Sequence, residues 1–158
     1  MSFIDSVLKV FVGDKSKQDV KALSPIIEKV KAFEQELEAL SLDELRAKTT
    51  AFKQQIAEAR KEQEDQIKQL EEKAENTEDI DAREDIYTEI DKLKDQSYEI
   101  TETVLNDIMA EAFAVVKETT KRFKENQTLT VTATTFDREI SGEKDYVTLD
   151  GDKAIWNN

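Results

Sequence analysis

The chain's 158 residues are 37% charged and 38% hydrophobic, with only 3 Gly and 1 Pro, a mix that favours long charged helices over a thick layered core. Cys and His are absent, which excludes disulfides, thiol chemistry and imidazole catalysis and leaves only carboxylate sites for Mg²⁺ or Ca²⁺. A formal net charge of −13 repels phosphate backbones and argues against nucleic acid as a partner.

From Met1 to Val12, Phe3, Ile4, Val7, Leu8 and Phe11 recur at helical spacing, with Lys9 on another face. Gly13 and Asp14 are expected to end this helix. Ser24 is expected to cap a second one, with Pro25 at its first position, where the missing N–H is harmless. The apolar stripe of that helix is Ile26, Ile27, Val30, Phe33, Leu37 and Leu40.

Ser41 and Glu44 form a capping-box signature that starts a third helix, with Leu40 and Leu45 placed as a hydrophobic staple. Its apolar positions run through Phe52, Ile56, Ile67 and Leu70 to Ala74, and Asn76-Thr77 interrupt it. A fourth helix is expected from about Asp79 to Lys124. Within it Ile86, Ile90, Leu93, Ser97, Ile100 and Val104 alternate in steps of four and three, a heptad seam. Two long helices joined by a short break fold back as an antiparallel hairpin.

After Asn126 the pattern switches to period two. Thr128–Phe136, Asp145–Leu149 and Lys153–Trp156 read as strands, the last two around an Asp150-Gly151 turn. The fold class expected is mainly α: short N-terminal helices, a long coiled-coil-like antiparallel helical hairpin, and a small C-terminal antiparallel β meander. Three strands without a covering face are marginal, so the tail is expected to be weaker than the hairpin. Acidic clusters such as Glu71-Glu72 and Glu75–Asp81 read as solvated surface, and no metal site is expected.

Three stretches carry a resemblance. Glu111-Ala-Phe-Ala-Val-Val-Lys-Glu-Thr-Thr-Lys-Arg122 is the most specific. Leu40-Ser-Leu-Asp-Glu-Leu-Arg-Ala-Lys-Thr-Thr-Ala-Phe-Lys53 follows the same order, and Leu8-Lys-Val-Phe-Val-Gly13 is a weaker match. Together they resemble the N-terminal part of the SecA family, the ATP-driven motors of bacterial protein export. The resemblance covers Met1 to about Phe52 and about Asp107 to Phe123. It departs at Ala110, where the family commonly has Pro; Ala lets the helix run straight through.

The resemblance implies four regions. Residues 1–53 would be N-terminal helices of the motor's first nucleotide-binding domain and 54–106 an inserted helical arm. Residues 107–125 would be a return helix of that domain and 126–158 a truncated β insertion. No Gly-x-x-x-x-Gly-Lys-[Ser/Thr] loop occurs between Met1 and Asn158. The resemblance therefore transfers no catalytic and no cofactor-binding residue, and this chain is expected to hold no cofactor. ATP and Mg²⁺ belong to the parent motor, whose site would lie beyond residue 158.

In the family the first helix is associated with membrane lipids, the translocon and dimerisation. By position that role falls on Phe3, Ile4, Val7, Leu8, Lys9 and Phe11. Residues 1–31 hold six Lys and four acids, a net of +2 against −15 for the rest, so only this end would be drawn to anionic lipids. No apolar run approaches the ~20 residues that cross a bilayer. The expected location is cytoplasmic, peripheral to the inner membrane. Expected partners are the Sec translocon channel, preproteins and anionic lipids through the parent, with self-association of this segment. The rival reading is a stand-alone acidic coiled-coil adaptor without catalytic activity.

Overall fold

The computed structural model describes the backbone of residues 3–158 and the side chains from residue 19 onward. The elements in order are α1 (Phe3–Glu38), α2 (Leu42–Glu75), α3 (Ile80–Glu125), β1 (Thr128–Thr132), α4 (Thr135–Ser141), β2 (Val147–Asp150) and β3 (Lys153–Asn157). They divide into two compact units. One holds residues 1–40 with 113–158, and the other holds residues 41–112.

The second unit is the expected helical hairpin. Ser41 stands at the N-cap of α2, its hydroxyl accepting from the Glu44 N–H at 3.2 Å, while the Glu44 carboxylate accepts from the Ser41 N–H at 2.8 Å. Hydrogen bonds from Ser41 hold the Glu44 carboxyl below the usual carboxylate range. Asn76 closes α2, its side-chain amide donating to the Glu72 carbonyl at 2.7 Å. The reversal is tied by Arg83, whose guanidinium donates to the Thr77 carbonyl. Beneath it Ala74, Ile86 and Ile90 are buried, with Ile67 and Leu70 packed against them. Ile86 and Ile90 are the first two residues of the seam that the four-and-three spacing predicts, and Ile67, Leu70 and Ala74 are apolar positions expected on α2. Replacing Ser41 by Ala should cost the hairpin about 1 kcal/mol, because the Glu44 N–H loses its hydroxyl acceptor, while the residue 41 N–H keeps the Glu44 carboxylate. Urea unfolding followed by circular dichroism measures it, and an unchanged midpoint would contradict the cap's role.

In the first unit the expected short helices are one. α1 runs through Gly13 and Asp14 and contains Pro25 in its interior. The Ser24 hydroxyl does not cap a helix start; it donates back to the Val20 carbonyl at 3.2 Å. Proline inside a helix ordinarily costs about 3 kcal/mol, partly through the carbonyl it leaves without a donor. Lys21, whose carbonyl loses that donor, is exposed, so water can satisfy it. Downstream, Leu37 is fully buried and Ile26, Val30 and Phe33 are half-buried, so packing of this side favours one continuous helix.

The three strands form an antiparallel sheet in the order β1-β3-β2, not the sequential order of a meander. Leu129 pairs with Trp156 and Trp156 with Val147; Val131 pairs with Ala154 and Ala154 with Leu149. Of these, Leu129, Val131, Val147 and Ala154 are buried, while Thr128, Thr130 and Thr132 of β1 lie exposed on the other face. The β2–β3 turn is Gly151-Asp152, with Gly151 at φ 60°, a value that suits glycine at the first position of a type II′ hairpin.

The run expected to continue as strand to Phe136 becomes α4. Thr134 caps it in a second capping box, because the Asp137 carboxylate accepts from the Thr134 N–H at 2.7 Å. Asp137 is fully buried and also accepts from the Trp156 indole N–H at 3.1 Å. Phe136 and Tyr146 lie against the Trp156 ring, with centroids 6.4 and 6.1 Å away. The sheet therefore has the covering element that its sequence pattern did not announce.

Candidate functional site

The last turn of α1 contains no basic residue, although the partial negative charge of a helix C-terminus favours one. α3 supplies the charge instead. The Arg122 guanidinium donates to the Leu37 carbonyl at 2.9 Å and to the Glu38 carbonyl at 3.4 Å, both in the last turn; the Leu37 carbonyl also accepts from the Leu40 N–H at 3.2 Å. Arg122 is held from behind by Glu118, whose carboxylate accepts from its Nε at 2.8 Å and which is itself buried. Lys121 pairs with Glu38 at 2.9 Å, and Lys117 pairs with Glu34.

The hydrogen bond from Lys121 holds the Glu38 carboxyl below the usual range, and the same bond raises the Lys121 amine above its own. A lowered carboxyl stabilises the fold above its ordinary range, and the contribution is lost as pH falls through the lowered value. Both groups are exposed, so this rim is worth little beside the buried Arg122–Glu118 pair.

Above the clasp lies an apolar groove of about 420 Å³, lined by Leu23, Ile26, Ile27 and Val30 of α1 and by Phe113 and Lys117 of α3. Phe113 is 60% exposed and Val116 beside it 63%. The Lys-Glu-Thr-Thr-Lys-Arg segment thus has a structural job, locking α1, while its Phe113 end forms one wall of an open hydrophobic surface. In the hairpin unit Lys48 donates to Glu111 at 2.8 Å, both side chains being about a quarter exposed. The Lys48–Glu111 and Arg122–Leu37 links join residues 63 and 85 positions apart, and no local spacing announces either.

Phe3, Ile4, Val7, Leu8, Lys9 and Phe11, singled out by position, lie outside the residues whose side chains are described. Among the described residues there is no group of three or more acids placed to hold a metal ion, and no helix is long and apolar enough to cross a membrane. What the site offers is a clamped helix and an open apolar surface.

Comparison with known proteins gives the family. The SecA DEAD-like domain family matches residues 8–143, and the chain belongs to it. Over all 158 residues it is 65% identical to the protein translocase subunit SecA of Christiangramia forsetii and 57% identical to that of Flavobacterium psychrophilum. It is 39% identical, again over 158 residues, to the subunit of Bacteroides fragilis. The chain spans about 14% of the length of these relatives, and the matched stretch includes both the hairpin and the β tail. No solved structure matches it.

Proposed function

We propose that these residues are the N-terminal segment of a SecA preprotein translocase subunit, a motor that spends ATP to push unfolded preproteins through the Sec translocon. The observation that carries this reading is the 65% identity to a SecA subunit along the whole chain, with the Arg122 clasp built from the segment that first suggested the family. In this reading residues 1–53 and 107–125 contribute leading helices to the first nucleotide-binding domain, and 54–106 and 126–158 are additions to it. The contact with the membrane, the translocon or a second subunit is assigned, by position in the family, to Phe3, Ile4, Val7, Leu8, Lys9 and Phe11. The parent works at the cytoplasmic side of the inner membrane and takes ATP and Mg²⁺ at residues outside this chain. The stand-alone adaptor is not favoured, because the matched relatives are SecA subunits. Sequencing the gene past codon 158 tests the choice: a Gly-x-x-x-x-Gly-Lys-Thr loop in the same frame is expected, and a stop codon would favour the adaptor.

Two solution results are expected of the 158-residue chain itself. Titration calorimetry with Mg-ATP should show no binding, since no phosphate-cradling loop occurs in the sequence; micromolar affinity would overturn this. The chain should also self-associate. Phe113 and Val116 are exposed on one surface, and each large apolar side chain left in water forgoes ~1.5–3 kcal/mol. Salt should strengthen the dimer, because the Debye length falls from ~30 Å at 0.01 M to ~10 Å at 0.1 M and screens the net charge. Sedimentation at several ionic strengths reads this out, and a monomer at all of them would refute it.

A further inference from the structure

The hairpin carries a second apolar line that none of its own residues covers. Ile80, Tyr87, Tyr98 and Leu105 on α3 are 76%, 50%, 67% and 42% exposed. At 3.6 residues per turn their spacings of 7, 11 and 7 keep all four within about 20° of one line on the helix surface. The buried seam residues Ile86 and Ile90 lie roughly 110° and 70° around the helix from that line, so the four exposed residues are not strays from the hairpin core. Exposed apolar residues scattered singly are ordinary, but four in register form a face.

A second row runs beside it. Glu84, Asp91, Asp95 and Glu102, spaced 7, 4 and 7, are all exposed and lie roughly 50° from the line on the side away from the seam. Lys94 stands on the other side and pairs with Asp91 at 3.9 Å; Arg83, also on that side, is turned to the Thr77 carbonyl. Residues 54–106 hold 17 acids against 7 Lys or Arg, a net of −10, most of the chain's −13.

We propose that this face of the arm docks an amphipathic α-helix of another protein, one with an apolar stripe and a Lys- or Arg-rich flank. An apolar line with an acidic border, crossed once by the exposed Asp91–Lys94 pair, is the complement of such a helix, as in coiled-coil pairing where flanking charges choose the partner. The charge disfavours the other occupants. A second copy would bring one arm of −10 against another, and anionic lipid would meet the acidic row. From Ile80 to Leu105 the face is about 38 Å long, which sets a partner helix of about 25 residues.

The test uses the 158-residue chain and two fluorescein-labelled 25-residue helical peptides. Both carry the same Leu stripe; one is flanked by Lys and the other by Glu. Anisotropy should show the Lys-flanked peptide binding about tenfold or more tightly than the Glu-flanked one, with the preference shrinking as salt rises. Tyr87→Ser with Tyr98→Ser should weaken the Lys-flanked peptide about tenfold or more, since central aromatic residues carry much of such interfaces. Glu84→Lys with Asp95→Lys should reverse the preference between the peptides. All four positions are exposed, and circular dichroism with urea midpoints checks that the hairpin persists. The proposal fails if neither peptide binds, if the two bind equally, or if binding ignores the Tyr substitutions. It also fails if the chain forms a dimer that the Tyr substitutions abolish, because the face then belongs to a second copy.

Discussion

Replacing Arg122 by Ala is expected to destabilise the unit that contains α1 by about 3 kcal/mol. Two losses combine. Glu118, with its side chain 10% exposed, loses its close 2.8 Å partner and keeps only the more exposed Lys121 amine at 3.8 Å, and breaking a buried pair typically costs several kcal/mol. The Leu37 carbonyl, on a residue with no exposed surface, loses its charged donor as well and keeps only the Leu40 N–H at 3.2 Å. Arg122→Lys should recover less than half of the loss, because an ammonium has no planar fork to meet Glu118 and the helix end together. Adding Glu118→Gln to Arg122→Ala should return part of it by removing the stranded charge. Urea unfolding with hydrogen exchange at the amides of residues 37–40 measures the series. A loss below about 1 kcal/mol for Arg122→Ala would mean that the clasp only decorates helices held by apolar packing.

The second large effect is expected at Asp137. Its carboxylate accepts from the Thr134 N–H, the Thr134 hydroxyl and the Trp156 indole. Asp137→Ala should destabilise the β tail by about 2–3 kcal/mol, through loss of a helix cap and stranding of the indole donor in a half-buried place. Asp137→Asn keeps one acceptor oxygen for Trp156 and should cost less. Trp156 is the chain's single Trp, so its emission reports the change directly. A red shift at lower urea than in the parent chain is expected, with the helical circular dichroism signal of the hairpin retained. Unchanged Trp156 emission through the transition would rule out Asp137 as the tail's anchor.

The contrast between Ser41 and Ser24 shows how far local signals reach. Both precede a helical pattern, and residue type alone makes each a cap candidate. At Ser41 a Glu three residues on closes the box, and the cap forms. At Ser24 no acid stands at the corresponding position, which is Ile27, and the hydroxyl turns back to Val20 inside a continuous helix. Thr134 carried the stronger signature, with Asp137 three residues later, but it stood inside a β-branched run whose period-two pattern concealed it. The apolar stripe of α1 is legible in the periodicity. The clasp was not, because its donors and acceptors lie far apart in the chain.

By itself the sequence determined the helical hairpin, since 3.5-residue spacing, a capping box and the Asn76 break are local and agree with one another. It also determined the family, through the Glu111–Arg122 and Leu40–Lys53 stretches, and it excluded thiol and imidazole chemistry by composition. The tertiary structure alone decided that α1 is one helix despite Pro25, that Arg122 closes its end, and that Asp137 binds Trp156 beneath an unannounced helix. It also decided that Ile80, Tyr87, Tyr98 and Leu105 face outward. The physical reason is common to all of these. Each depends on which of several locally acceptable arrangements buries more apolar surface or satisfies a distant polar group, and that balance exists only once the elements have met.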